Sequence, residues 1–267
     1  MTIHFVDSHC HLNYPGLVED PQGVLERMRA AGVAKALNIC TTLEESERVI
    51  AMTRPHDFLK ASVGVHPDNQ GIEEPTVERL VALGQDPKVV AIGETGLDYY
   101  RREGDGKEGD LEWQRQRFRI HIHAARALKK PLIIHTRDAA DDTLRILAEE
   151  GAEEVGGVMH CFTESVAVAK AAIAMNFLIS LSGIVTFKNA KQVHDVAQTI
   201  PLEHLMIETD SPFLAPAPHR GKVNEPAYVA LVAQRVAELK GVPIDEVARV
   251  TSANFERFAA GQLAGRG

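Results

Sequence analysis

The stretch PLIIHTRDAADDTLRILAEEGAEEVGGVMH, residues 131–160, reads as one strand–helix–strand unit. Residues 131–135 form a short apolar run that ends on His135. Residues 139–149 carry a helical period, and a second apolar run, 155–160, ends on His160. Neither run alternates apolar with polar side chains, which is how parallel strands covered on both faces read. The same rhythm extends in both directions. Strands are expected at 3–6, 34–40, 59–63 and 89–92 on one side, and at 177–179 and 205–208 on the other. Helical segments fall at 23–31, 43–52, 76–83, 111–128, 165–175 and 190–198, and two more, 227–239 and 245–260, follow the last strand. Thr41-Thr42 before Leu43 and Pro75-Thr76 supply helix starts. Eight βα units in this order predict a TIM (β/α)8 barrel in preference to an open doubly wound sheet.

A barrel of this kind takes roughly 250 residues as one unit, so the 267 residues are read as a single domain spanning 1–267. No linker, low-complexity tract or step in composition divides them. Residues 101–110, RREGDGKEGD, have three glycines and mixed charges and read as a solvated loop. Lys and Arg number 29 against 37 Asp and Glu, a net charge of −8 with neutral His. That excludes a protein that grips nucleic acid or an anionic membrane through overall positive charge, while leaving room for a small basic site. Three cysteines, Cys10, Cys40 and Cys161, are too few for a disulfide framework and suggest a reducing compartment. The N-terminus lacks a basic segment and reaches Asp7 early, unlike a signal peptide. No apolar run approaches the about 18 residues of a membrane span. The expectation is a cytoplasmic protein with no membrane association and no obligate protein partner.

Chemistry-bearing residues gather at the C-terminal ends of the expected strands. Asp7-Ser-His9-Cys-His11 follows the first, His66 the third and Glu94 the fourth; His135 ends the fifth, His160 ends the sixth, and Asp210 follows the eighth. In a barrel these ends converge on one mouth, where active sites are built. Imidazole with carboxylate suits borderline and hard divalent ions, and there is no thiolate set for a closed structural site. His9 and His11 are two apart on an extended segment and project to one side, with Cys10 between them turned away. Glu94 could bridge two ions, with His9, His11 and Asp210 on one and His135 and His160 on the other. Such a pair would clamp a phosphate oxygen and generate hydroxide near neutral pH. His121-Ile-His123 has the same spacing but lies in a helical segment, where residues two apart point roughly 200° from each other. It is excluded, as are His4, His56, His194 and His204, which have no partner motif.

These motifs, together with Gly64-Val-His-Pro67, Gly93-Glu-Thr-Gly-Leu-Asp-Tyr99, His135-Thr-Arg-Asp138, His160-Cys-Phe-Thr163, Ser182-Gly-Ile-Val-Thr-Phe-Lys188, Glu208-Thr-Asp-Ser-Pro-Phe-Leu-Ala-Pro216 and His219-Arg-Gly-Lys-Val-Asn-Glu-Pro226, resemble the TatD family of metal-dependent deoxyribonucleases. The likeness runs from residue 3 to about 258. The intact N-terminal His-x-His places it nearer the YcfH-like branch. The resemblance implies a hydrolase of the amidohydrolase superfamily that carries two divalent ions and cleaves phosphodiester bonds of DNA. It implies the same ligands, His9, His11, Glu94, His135, His160 and Asp210, with His66 beside the metals touching substrate phosphate or an additional ion.

Phosphate recognition calls for guanidinium forks and ammonium groups on the same rim. Arg137, Lys188, Arg220 and Lys222 fall in strand-end segments and are the expected substrate contacts. Tyr99, with Tyr100, is positioned to stack a base of an unpaired end. Asp210 is the expected base for the attacking water, with Glu94 as the other catalytic carboxylate. The expected substrate is DNA at single-stranded or frayed ends, with RNA as a second class, attacked as by an exonuclease. Two other readings stay open: a related hydrolase acting on esters such as an aminoacyl-tRNA, and a non-catalytic metal-binding partner protein. Mg²⁺, Mn²⁺ and Zn²⁺ are all admitted: the histidines favour zinc, while phosphodiester substrates often bring magnesium.

Overall fold

A computed structural model describes residues 4–100 and 111–263, so the loop expected over 101–110 and residue 3 of the first expected strand lie outside the described residues. Eight parallel strands form one sheet in sequential order: β1 (Phe5–Cys10), β2 (Val33–Asn38), β3 (Leu59–Val63), β4 (Val89–Asp98), β5 (Leu132–Arg137), β6 (Gly157–Met159), β7 (Phe177–Leu181) and β8 (Leu205–Ile207). Seven helices connect them: α1 (Pro21–Ala30), α2 (Ser46–Thr53), α3 (Val77–Gly84), α4 (Glu112–Leu128), α5 (Ala140–Glu149), α6 (Val166–Ala174) and α7 (Lys191–Thr199). Then α8 (Val229–Lys240) and α9 (Ile244–Ala259) follow β8. This is the TIM barrel expected. Its seam closes at the top, where Cys10 bridges Ser211, Asp210 N donates to His9 O (2.9 Å) and His11 N donates to Ser211 O (2.8 Å). No helix among the described residues is long and apolar enough to cross a membrane.

Both faces of the sheet are buried, so the strands read as apolar runs. Residues such as Leu59, Ala61, Ile134 and Ile179 face the helix layer. Val6, Leu37, Ala91, Ile133, Val158, Leu178 and Met206 instead fill the lumen, and α9 seals the floor beneath them with Phe255 and Phe258. Side chains alternate along a strand. Two residues beyond these lumen positions, the same face therefore carries Ser8, His135, His160, Ser180 and Glu208. A dry layer thus supports a polar one, and the polar layer is the floor of the mouth.

Most boundaries fall within two residues of expectation, and three differ by three residues or more, each for a local reason. Strand β1 continues past His9 to Cys10 instead of stopping at residue 6, because Cys10 O accepts from Ile39 N (2.9 Å) and the seam pairs with its end. Strand β4 runs to Asp98, six residues past its expected end, pairing Gly96 with His135 and Asp98 with Arg137. Gly93 and Gly96 have φ of 150° and 130°. A Cβ on either would strike the β5 backbone, at Ile133 and at His135 respectively, so only glycine lets the two strands close up here. Helix α2 starts at Ser46, three residues late, because the Glu45 carboxylate is taken by Thr41 N and Thr41 Oγ1 (2.6 and 2.8 Å).

Phe258 is fully buried in the floor. Phe258→Ala is expected to lower stability by about 3–5 kcal/mol in urea unfolding, with metal uptake intact in the fraction that remains folded. A loss under 1 kcal/mol would mean that α9 does not close the barrel.

Candidate metal centre

Glu94 stands at the middle of the mouth, 3% exposed. Its two oxygens face different partners. Oε2 lies 3.3 Å from His9 Nε2 and 4.0 Å from His11 Nε2, and Asp210 Oδ1 approaches the same two nitrogens at 3.6 and 3.3 Å. Oε1 lies 2.8 Å from His160 Nε2, 3.2 Å from His135 Nδ1 and 3.4 Å from His66 Nε2. Side-chain atoms of His9, His11 and Asp210, of His9, Glu94 and His160, and of His66, Glu94 and His135 converge within 4.8 Å in each group. All six ligands read from the sequence are therefore brought together, and His66 stands as close to Glu94 as they do.

The donor set fits divalent cations. His9 Nε2 and His11 Nε2 are only 3.3 Å apart, and His135 Nδ1 lies 3.4 Å from both His160 Nε2 and His66 Nε2. Nitrogens and oxygens aimed at so small a volume repel one another unless protons or a cation lie between them. Nitrogen and oxygen donors without sulfur suit Zn²⁺, Mn²⁺ or Mg²⁺.

Burial pushes the Glu94 carboxyl up, but the surrounding imidazoles, His160 foremost, outweigh it and hold the group well below the carboxylate range. Burial likewise raises Asp210, and its hydrogen bond from His11 more than reverses the effect. His160 is lifted well above the ordinary imidazole value because Glu94 and Glu208 overcome its burial. His66, dominated by burial, falls to about 3. Both central carboxylates are thus ionised at neutral pH, as ligands must be.

Several supporting residues carry no local metal-ligand signature. His135 Nε2 meets Asp98 Oδ2 at 3.1 Å, and His160 Nδ1 meets Glu208 Oε1 at 3.2 Å, fixing which nitrogen each ring turns into the mouth. Glu208 Oε1 also accepts from Cys161 N (2.7 Å). Asp7 ties β1 to the segment after β8 by accepting from Thr209 N (2.8 Å) and Thr209 Oγ1 (2.6 Å), and burial raises it to about 8. Asp210 sits at φ 58°, in the left-handed region, which non-glycine residues occupy at a cost. Asn224 latches its loop, donating to Thr209 O and Phe213 O at 2.8 and 2.6 Å. The signal for Asp98 and Glu208 was their place inside the Gly93–Tyr99 and Glu208–Pro216 motifs, facing histidines two strands would bring near. Tyr14 stacks on His11 with ring centroids 4.7 Å apart.

The mouth is a cavity of about 640 Å³. Of the expected substrate contacts, His66 and Arg137 line it. The Arg137 guanidinium rests 3.4 Å over the ring of Tyr100. Tyr99 is turned away: only 9% exposed, it donates to Asp142 Oδ2 (2.7 Å) and accepts from Arg115 Nη1 (3.0 Å). Tyr100 is instead 55% exposed, because alternation along the chain puts neighbouring side chains on opposite faces. Lys188 and Arg220 line a separate adjoining cavity, and Lys222 lines neither. The excluded pair splits as its helix requires. His121 is buried and its Nε2 accepts from Val65 N (2.9 Å), whereas His123 is exposed beside Glu150.

A family profile described as TatD related DNase matches residues 6–260. The uncharacterized metal-dependent hydrolase YcfH of Escherichia coli K12 is 47% identical over 256 residues, 95% of this chain and 94% of that protein. The uncharacterized metal-dependent hydrolase YabD of Bacillus subtilis is 44% identical over 253 residues, covering 94% of this chain and 97% of that one. The crystal structure of the TatD homologue YjjV from Escherichia coli superposes with a TM-score of 0.89 at 29% identity, covering 97% of this chain and 98% of its own.

Asp98→Asn and Glu208→Gln are each expected to weaken metal binding about 10- to 100-fold, read by isothermal titration calorimetry. Unchanged affinity in both would show that these carboxylates do not set the histidine ligands.

Proposed function

The chain belongs to the family of TatD-related DNases, and from that premise we propose that it hydrolyses phosphodiester bonds of DNA from single-stranded or frayed ends. Membership makes it a metal-dependent hydrolase; the choice of substrate is the further step. The observation that carries it is the Glu94 carboxylate, held between two groups of histidine and aspartate donors at the base of a cavity whose rim presents a guanidinium. His9, His11 and Asp210 would hold one divalent ion and His135 with His160 a second, Glu94 serving both. Such ions supply Lewis acidity toward a phosphate oxygen and an activated water near neutral pH.

The chain's own groups complete the chemistry. Asp210 is ionised and meets His11 through Oδ1, and its carboxylate would take the proton of the attacking water. Arg137, braced on Tyr100, neutralises a phosphate oxygen at the rim. His66, depressed to about 3 by burial, is neutral and faces the same volume as a hydrogen-bonding group for substrate phosphate. Tyr100 and Phe213, 55% and 49% exposed, offer aromatic faces to bases that are not paired. A cavity ringed by loops admits a strand terminus more readily than the middle of a duplex. The barrel and its donors would serve an ester of another kind; the cation and aromatic rim favour a nucleic acid strand.

With metal restored, Asp210→Asn is expected to lose about 10²- to 10⁴-fold in turnover on end-labelled single-stranded DNA, with metal content measured in parallel. In the same assay a covalently closed single-stranded circle should resist cleavage. Equal cleavage by the variant would remove Asp210 from the reaction, and circles cut as fast as linear strands would refute action from ends.

A further inference from the structure

The loops after β7 and β8 are zipped together. Thr186 Oγ1 accepts from Ala217 N at 2.9 Å, and a Cβ on Gly183 would strike the carbonyl oxygen of Leu214. Ile184, Phe213 and Leu214 from these loops line the catalytic cavity. Further along the same two loops, Thr186, Phe187, Lys188, Ala217 and Arg220 line a second, open cavity of about 570 Å³. Among the described residues no acidic side chain lines it, and the charged lining residues are Lys188 and Arg220.

Many arginines elsewhere in this acidic chain have carboxylate partners, although Arg29 and Arg137 rest on aromatic rings instead. Arg115 meets Glu112, Arg119 meets Glu150, Arg126 meets Glu154, Arg145 meets Glu149 and Arg235 meets Glu238. Among the described residues, neither Lys188 nor Arg220 has such a pair. Arg220 is instead seated over the ring of Phe187, 4.1 Å from its centroid. That contact restrains the guanidinium while leaving its N–H edge for an anion, which accepts in the plane of the group. Helix α7 begins beside the cavity with no side chain capping Ala190, so its first turn adds positive potential there. Two unpaired cations and an aromatic surface in an acid-free cavity, continuous with the mouth through shared loops, match a nucleotide phosphate with its base.

We propose that this second cavity is a separate subsite that binds a phosphate of the substrate strand remote from the bond being cut; it rests on the reading of the chain as a DNase. Binding energy gathered there anchors a strand and gives nothing to a substrate that fills only the metal cavity. The subsite therefore selects strands over small phosphodiesters.

The metal-loaded protein and a Lys188→Ala/Arg220→Ala variant are compared on a single-stranded oligonucleotide and on bis(p-nitrophenyl) phosphate, which reaches the metal cavity alone. For the oligonucleotide, the variant's KM is expected to rise, and the plot of log affinity against log salt to become shallower by about 0.7 per cation removed. Hydrolysis of the small diester is expected to be unchanged. Wild-type protein that cuts the oligonucleotide with a KM and salt slope shared by the variant would overturn the subsite alone. Equal loss on both substrates would also overturn it, since the cations would then act through the metal centre. Wild-type protein that hydrolyses the small diester but neither binds nor cuts the oligonucleotide would defeat the DNA reading and the subsite together.

Discussion

Glu94 is a buried carboxylate whose two oxygens face two different sets of donors, and much of the barrel's upper half is arranged around it. Taking such a group out of water costs several kcal/mol even after relaxation, and the raised imidazoles of His135 and His160 offset that cost. Asp7, Asp98, Glu208 and Asp210 crowd the same end. So many acids and imidazoles in one low-dielectric volume make a candidate site for divalent cations, and bound cations would in turn stabilise the folded chain. The net charge of −8 thus acquires a location. Part of it is concentrated where metal belongs, while two unpaired cations sit a loop away.

The backbone accepts local irregularity to hold this arrangement. Strand β4 bends past Gly93 and pairs again with β5 from Thr95 onward, which turns Glu94 into the lumen and brings Asp98 beneath His135. The seam between β1 and β8 is completed by Asp7, Thr209 and Ser211, not by a long ladder. Asp210 is strained, and Asn224 and Pro212 fasten the loop that carries it. Below them the lumen is dry and filled, with α9 as its floor. A rigid base of this kind lets small displacements be resisted at the donor atoms, where geometry decides affinity.

The order of strands and helices was open to reading from sequence because parallel strands buried on both faces leave continuous apolar runs, and the interposed helices a 3.6-residue period. The convergence of the six candidate ligands was also readable, since His9, His11, Glu94, His135, His160 and Asp210 all occur at strand ends that a barrel brings to one rim. The full length of β4 was hidden because Gly93 and Gly96 look like strand breakers; their role depends on the close approach of β5, a contact distant in sequence. The same holds for Asp98 and Glu208, whose partners lie 37 and 48 residues away. Tyr99 and Tyr100 are adjacent and chemically alike, and only the path of the chain decides that Tyr99 packs inward while Tyr100 carries Arg137. Lys188 and Arg220 do fall in the segments after β7 and β8, and their separation from the metal cavity follows from how these two loops zip together.

The bridging position of Glu94 is tested most directly by anomalous diffraction from crystals soaked in Mn²⁺ or Zn²⁺. Two anomalous peaks are expected, one among His9, His11 and Asp210 and one among His135 and His160, with a Glu94 oxygen bound to each. Peaks absent from this cluster, or a single ion with Glu94 outside its coordination sphere, would contradict the two-metal centre on which the proposed hydrolysis depends.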